Sequence, residues 1–113
     1  EKINHIAQKI GIDDFGTKFT NGFLTKIQDG NSQLSYSNKK IILLLRALAT
    51  DNKIIILEDP YDGLSKEIKE KMIAFLQELA KEKTIIVVTQ DDEFIQKAHQ
   101  HFHMINGLLE TKK

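Results

Sequence analysis

Ile54-Ile55-Ile56-Leu57-Glu58-Asp59-Pro60 is the stretch on which the fold turns. Three isoleucines and a leucine make a run too short for a helix, and it stops on two carboxylates and the only proline of the chain. A short continuous apolar run closed by a breaker is the pattern of a strand buried on both faces, as in a parallel sheet. A second run of this kind, Thr84-Ile85-Ile86-Val87-Val88-Thr89, lies downstream. Between them Ile68, Met72, Phe75, Leu76 and Leu79 recur at helical spacing over 65–81. Ser65 is placed to cap that helix, and Lys81 and Lys83 suit its C-terminal end. Strand, helix and strand in this order predict a βαβ crossover and an α/β sheet. In such sheets polar groups at the carboxyl ends of the strands form the site. Here these are Glu58 and Asp59 after one strand, and Gln90, Asp91 and Asp92 after the next.

Working outward, Ile3, Ile6, Ala7 and Ile10 predict an amphipathic helix over 1–10, stopped by Gly11. Residues 11–33 carry Phe15, Phe19 and Phe23 among Gly, Asn, Asp and Thr, and read as a short helix or turns, then a loop through Gln28-Asp29-Gly30-Asn31. Ser35 caps a helix over about 36–50 whose segment Ile41 to Leu48 is apolar almost all round and is expected to be buried. Downstream, Asp91 or Asp92 opens a helix carrying Phe94, Ile95 and Ala98. Phe102 to Ile105, Asn106-Gly107 and Leu108-Leu109 read as a closing hairpin.

The chain has 113 residues, enough for one domain and not for two. Lys+Arg and Asp+Glu are both 16, a zero net charge that argues against a dedicated nucleic-acid binder. Hydrophobic residues at 41% with a single proline argue against disorder. The absence of cysteine removes disulfides, thiol catalysis and Cys-ligated zinc together. The longest apolar run, Ile41 to Leu45, is far too short to span a bilayer, and no basic-then-apolar leader opens the chain. Because the first residue is Glu, the sequence is expected to be a piece of something longer.

Adjacent carboxylates after a buried strand suit Mg²⁺ and water chemistry, one holding a hydrated cation while its neighbour polarises an attacking water. The plainer alternative is a strand end returning to solvent. The surroundings bear on the choice. Leu34-Ser35-Tyr36-Ser37-Asn38 opens a helix ending in Arg46-Ala47-Leu48; the acidic strand end follows; then come Tyr61-Asp62-Gly63-Leu64-Ser65 and Ile86-Val87-Val88-Thr89-Gln90-Asp91. This order resembles the C-terminal half of an exporter-type ABC transporter nucleotide-binding domain. The matching family segments are the LSGGQ signature with its helix, the Walker B strand, the D-loop and the switch-histidine strand. Gly11 to Phe15 and Asn21 to Thr25 resemble that family's helical subdomain. The resemblance implies a partial P-loop NTPase-like α/β fold: a βαβα core, a helical-subdomain piece at the N-terminus and a C-terminal hairpin. Residues 1–50 would belong to the signature subdomain and 51–113 to the Walker B side of the core.

The resemblance also assigns roles, and each is altered. Ser35 keeps the signature Ser, whereas Tyr36 and Ser37 stand at two glycine positions and Asn38 at the Gln. Ser35, Ser37 and Asn38 would be the nucleotide-facing residues, lent to a partner's phosphates, and a Tyr36 ring would stand where phosphate should sit. Glu58 replaces the metal-holding Asp, and Asp59 the catalytic Glu. Each carboxylate thereby moves by about one methylene, and a shift of about 1 Å can cost about a hundredfold in rate. Gln90 stands at the switch His and carries no proton charge near neutral pH; Ser65 stands at the D-loop Asp. No G-x-x-x-x-G-K-[ST] loop is present, and that half is expected upstream of Glu1.

The implied function is a degenerate ABC ATP-binding domain, impaired in hydrolysis, that couples nucleotide-dependent dimerisation to membrane transport. ATP and Mg²⁺ would belong to the full-length parent at most, with none bound by the isolated chain. The implied partners are a second nucleotide-binding domain, in a homo- or heterodimer, and a transmembrane domain, at the cytoplasmic side of the membrane, with no nucleic acid. Two alternatives stand beside it: a non-enzymatic α/β interaction module that has lost the nucleotide, and a Mg²⁺-dependent phosphotransfer domain built on Glu58 and Asp59. His99, His101 and His103 alternate, a pattern that fits a Zn²⁺ or Ni²⁺ site or the solvated face of an edge strand with Phe102 and Met104 turned to the core. In the family the phosphate-loop strand separates the switch-residue strand from the one after it. Without it, 84–89 is expected either to pair with a second copy or to be covered by the hairpin sliding across, residues near 86 pairing with residues near 104.

Overall fold

The computed structural model of the chain describes residues 2–12, 14, 24 and 35–112. The readings over 15–23 and 25–34, with Phe15, Phe19, Phe23 and the Gln28–Asn31 loop, lie outside the described residues. The elements run α1 (Lys2–Lys9), α2 (Tyr36–Ala49), β1 (Ile54–Glu58), α3 (Lys66–Leu79), β2 (Thr84–Val88), α4 (Asp92–Lys97), β3 (Phe102–Ile105) and β4 (Leu108–Thr111).

Local chemistry explains the helix ends. Gly11, at φ +81°, closes α1 in a Schellman motif: the Ile12 N–H reaches the Ala7 carbonyl at 2.8 Å and the Gly11 N–H reaches that of Gln8 at 3.2 Å. Ser35 and Ser65 cap α2 and α3, their hydroxyls accepting from the N–H groups of Asn38 and Ile68 at 3.1 and 3.3 Å. Asp91 caps α4 by accepting from Glu93 and Phe94.

β1 and β2 pair in parallel, from Ile54↔Thr84 to Glu58↔Val88, with α3 as the crossover between them. Among the described residues a single buried cluster joins Ile6 and Ile10 with Leu44, Leu45 and Leu48 of α2, Ile55 and Leu57 of β1, Met72, Ile73 and Leu76 of α3, and Phe94 of α4. Met72 and Ile10 are the largest side chains fully withdrawn from solvent. No helix among the described residues is long and apolar enough to cross a membrane.

Several expectations are corrected. The strands are covered on one face only: Ile55 and Leu57 are buried, whereas Ile56 is 66% exposed and Val88 57% exposed. On the other face Ile54, Ile56, Ile86 and Val88 stay exposed. The same one-sidedness leaves Leu43 of α2 exposed, bordering an open groove of about 500 Å³ that α2 forms with Ile54 and Ile56. Phe102 and Met104 do not turn to the core; every residue of β3 and β4 is exposed. The hairpin itself forms as expected, with Asn106 and Gly107 both at positive φ, the signature of a type I′ turn. It does not slide onto β2: among the described residues β3 pairs only with β4, in a separate two-stranded sheet. His101 and His103 stack at 6.4 Å between ring centroids, but no group of three or more metal-ligating side chains gathers among the described residues.

Candidate functional site at the carboxyl ends of the paired strands

The parallel register sets the ends of β1 and β2 side by side. Glu58 faces Val88, and the Asp59 N–H continues the ladder by donating to the Val88 carbonyl at 2.9 Å. Glu58, Asp59 and, two residues beyond Val88, Gln90 therefore share one edge of the sheet; Glu58 and Gln90 are exposed and Asp59 is half-buried. Asp59 sits at φ +41°, in the left-handed region, directly before Pro60. Its carbonyl accepts from the Asp62 N–H at 3.1 Å, so the chain turns sharply away from the sheet through 59–64. The Tyr61 hydroxyl reaches back to Asp59 Oδ1 at 3.4 Å.

The start of α2 forms a second group beside the first. Ser35 is engaged as the cap, while Ser37 and Asn38 are half-buried. The Tyr36 hydroxyl donates to Asp62 Oδ2 at 2.8 Å, which raises the pKa of the phenol because loss of its proton would set two anions face to face. A Cβ on Gly63, at φ +80°, would come within 2.7 Å of Ser37 Oγ, so only glycine permits this approach of the turn to α2. Lys40 bridges the groups: its Nζ lies 5.8 Å from the Tyr36 ring centroid and 3.5 Å from the Glu58 carbonyl oxygen. The Glu58-Asp59 pair and the segment carrying Gln90 thus leave the same end of the parallel pair, and the start of α2 meets the 59–64 turn through Tyr36 and Ser37.

Lys69 is the residue that sequence reasoning missed. From α3 its Nζ donates to Asp91 Oδ2 at 2.8 Å and lies 3.1 Å from Glu93 Oε1. It also stands 5.7 Å from the Tyr61 ring centroid. The hydrogen bond from Lys69 holds the Asp91 carboxyl below the usual carboxylate range, helped by the Phe94 and Glu93 N–H groups, and Asp91 in turn raises Lys69. Tyr61 completes the cluster by packing on Phe94 at 5.6 Å. Nothing in the spacing of Tyr61, Lys69 and Asp91 announces this meeting, because it depends on where α3 crosses the sheet.

No family model matches the chain. Individual proteins do. Over 112 residues, 99% of the chain, it is 30% identical to the human ATP-binding cassette sub-family B member 5, of which it covers 9%. Over 107 residues, 95% of the chain, it is 31% identical to the ATP-dependent lipid A-core flippase of Vibrio parahaemolyticus, of which it covers 18%. The chain belongs to the ABC transporter ATP-binding domain family. The Bacillus subtilis ABC transporter ATP-binding protein YtrE is 22% identical over 111 residues, 96% of this chain and 43% of that protein. This ABC-type chain therefore spans less than half the length of each of these curated relatives. Its fold is similar to a part of a bacterial Atm1-family ABC exporter solved with ATP bound, at a TM-score of 0.77 and 17% identity over 94% of this chain and 18% of that one. The partial α/β fold expected from the ABC resemblance is thus the one the chain has. The open edge of β2 alone would have told against the expected strand order; the likeness over nearly the whole chain weighs the other way.

Proposed function

We propose that the chain supplies the signature helix and the Walker B side of an ABC transporter ATP-binding domain whose ATP hydrolysis is impaired. It would act at the cytoplasmic side of a membrane, coupling nucleotide-dependent association with a second nucleotide-binding domain to a transmembrane partner. Residues up to 50 would serve as the signature subdomain and those from 51 as the core. One observation supports this reading: the acidic end of β1 and the end of β2 that leads into Gln90 lie side by side, with the start of α2 braced against the turn after Asp59. Glu58 is an exposed carboxylate at that edge, and Mg²⁺ is bound through one or two carboxylates plus nucleotide phosphates, so the donor set fits the ion. The metal would supply charge neutralisation on the phosphates. Asp59 would orient the attacking water and Gln90 would hydrogen-bond the terminal phosphate without exchanging a proton. Ser35, Ser37 and Asn38 would face the nucleotide held by the partner.

Impairment follows from three side chains. Glu58 and Asp59 exchange the lengths of the family's metal ligand and base, and Gln90 replaces the switch imidazole. The test is ATP hydrolysis by the full-length parent carrying Glu58→Asp, Asp59→Glu and Gln90→His. The three act on one metal and one water, so the triple change is expected to raise turnover more than any single change. A flat response beside a partner with an intact signature refutes the assignment. The alternative, an interaction module without nucleotide, draws on Tyr36: its ring and its bond to Asp62 stand over the start of α2. A parent without a phosphate loop would favour it.

A further inference from the structure

Two loops carry the strand-end residues, 59–64 after β1 and 89–91 after β2. They belong to different strands, and beyond the last ladder bond, Asp59 N–H to Val88, the sheet no longer holds them together. One side chain from a third element touches both. Lys69 lies one turn into α3, and its ammonium sits between the Asp91 carboxylate on one loop and the Tyr61 ring on the other.

Each contact leads to a strand-end residue. Asp91 follows Gln90 directly, and its backbone N–H is pinned to Thr89 Oγ1 at 2.9 Å, while its second carboxylate oxygen caps α4. Gln90 thus lies inside a turn closed by the Asp91–Thr89 bond and anchored at Asp91. On the other side Tyr61 is fixed by Phe94 and by Lys69, and its hydroxyl contacts Asp59. The Lys69 and Asp91 side chains are only 18% and 15% exposed, so this is not a solvated surface pair that side-chain entropy and water would cancel.

We infer that Lys69 is a positioning residue that braces the Asp59 loop against the Gln90 loop and so sets the spacing between those two side chains. The inference takes its functional meaning from the proposed ATP-binding role; the brace itself stands on the geometry alone. Lysine suits the task because its long stem crosses from α3 to the loops, and its ammonium serves a carboxylate and a ring face at once.

The experiment is nuclear magnetic resonance on the full chain, reading the Gln90 side-chain amide and the Asp59 backbone amide, with α1 resonances as the control. Lys69→Met keeps the stem and removes the charge; it is expected to displace both reporters together while α1 stays in place. Lys69→Arg is expected to return them. Tyr61→Phe keeps both ring contacts and removes the hydroxyl, so it is expected to move Asp59 and spare Gln90. Should Lys69→Met fail to fold, Glu93→Gln weakens the same brace and is expected to move both reporters in the same direction. Displacement of Asp91 to Phe94 alone, with both reporters unmoved, overturns the inference, as does a uniform shift along the chain or a failure of Arg to restore. In the parent, Lys69→Met is expected to lower kcat for ATP by up to about a hundredfold with KM held, the scale of an ~1 Å displacement. Coupled reporters with unchanged kcat uphold the brace and count against the ATPase reading.

Discussion

Asp59→Glu restores the side chain that the family resemblance implies, and the backbone argues that it is costly. Asp59 lies at φ +41° and precedes Pro60, whose ring already disfavours helical conformations of the residue before it. A left-handed conformation costs an ordinary L-residue about 1–2 kcal/mol, and Asp escapes part of this because its short side chain bonds locally. Glu has no such relief, so Asp59→Glu is expected to destabilise the chain by about 1 kcal/mol. Asp59→Gly removes the steric penalty but adds unfolded-state entropy worth about 0.5–1 kcal/mol and loses the long 3.4 Å contact with Tyr61. The glycine variant is therefore expected within about 0.5 kcal/mol of the parent chain. Asp59→Val, β-branched, is expected to lose about 2 kcal/mol. Urea unfolding reads all three. At a slope of about 2 kcal/mol per molar, the Glu variant's midpoint falls by about 0.5 M with the slope unchanged. Equal midpoints for Glu, Gly and Val would show that residue 59 is not held left-handed, and the strand-end geometry built on it would fall. If the ordering holds, the triple restoration will gain chemistry while losing stability, and hydrolysis must be compared at equal folded fractions.

Other outcomes follow. The isolated chain is expected to bind Mg·ATP no more tightly than the millimolar range, about −4 kcal/mol; a micromolar titration isotherm would show a phosphate grip where none is expected. Asp91→Asn is expected to be less stable than the parent chain above about pH 4, because Lys69 lowers the folded pKa of Asp91; the gap closes as pH falls through that lowered value, read by unfolding at stepped pH. Met72→Ala, at a side chain with no exposure, is expected to cost about 3 kcal/mol by thermal melting; a loss under 1 kcal/mol would place Met72 outside the core. With the hairpin not covering β2, the isolated chain is expected to dimerise through that edge in sedimentation, and Ile86→Lys to abolish it. A monomer for both removes the edge as a pairing surface.

What the residues disclosed and what they withheld divide along one physical line. Helix ends were legible because capping is local: Ser35, Ser65, Gly11 and Asp91 act within three or four residues of themselves. The strand runs and the Asn106-Gly107 turn were legible for the same reason. Burial was not, because Ile54 to Leu57 reads alike whether one face or both are covered; the cover comes from elements far away in sequence. The parallel pairing of β1 and β2 was legible through the βαβ pattern, and it is this register that puts Glu58, Asp59 and the start of the Gln90 segment at one end of the sheet. The brace from Lys69 and the bond from Tyr36 to Asp62 were not, since each joins residues 22 and 26 positions apart with no periodicity between them.

The closing hairpin has a consequence for how the molecule opens. Two four-residue strands with every side chain exposed have only their ladder and a well-formed turn to hold them, and an isolated ribbon of that kind is marginal in water. Its amide hydrogens should exchange through openings far cheaper than global unfolding, while those of Ile55, Leu57 and Met72 wait for the whole core to part. Among the described residues the hairpin is thus a cooperative unit shallower than the core, and it opens to a protease before the core does.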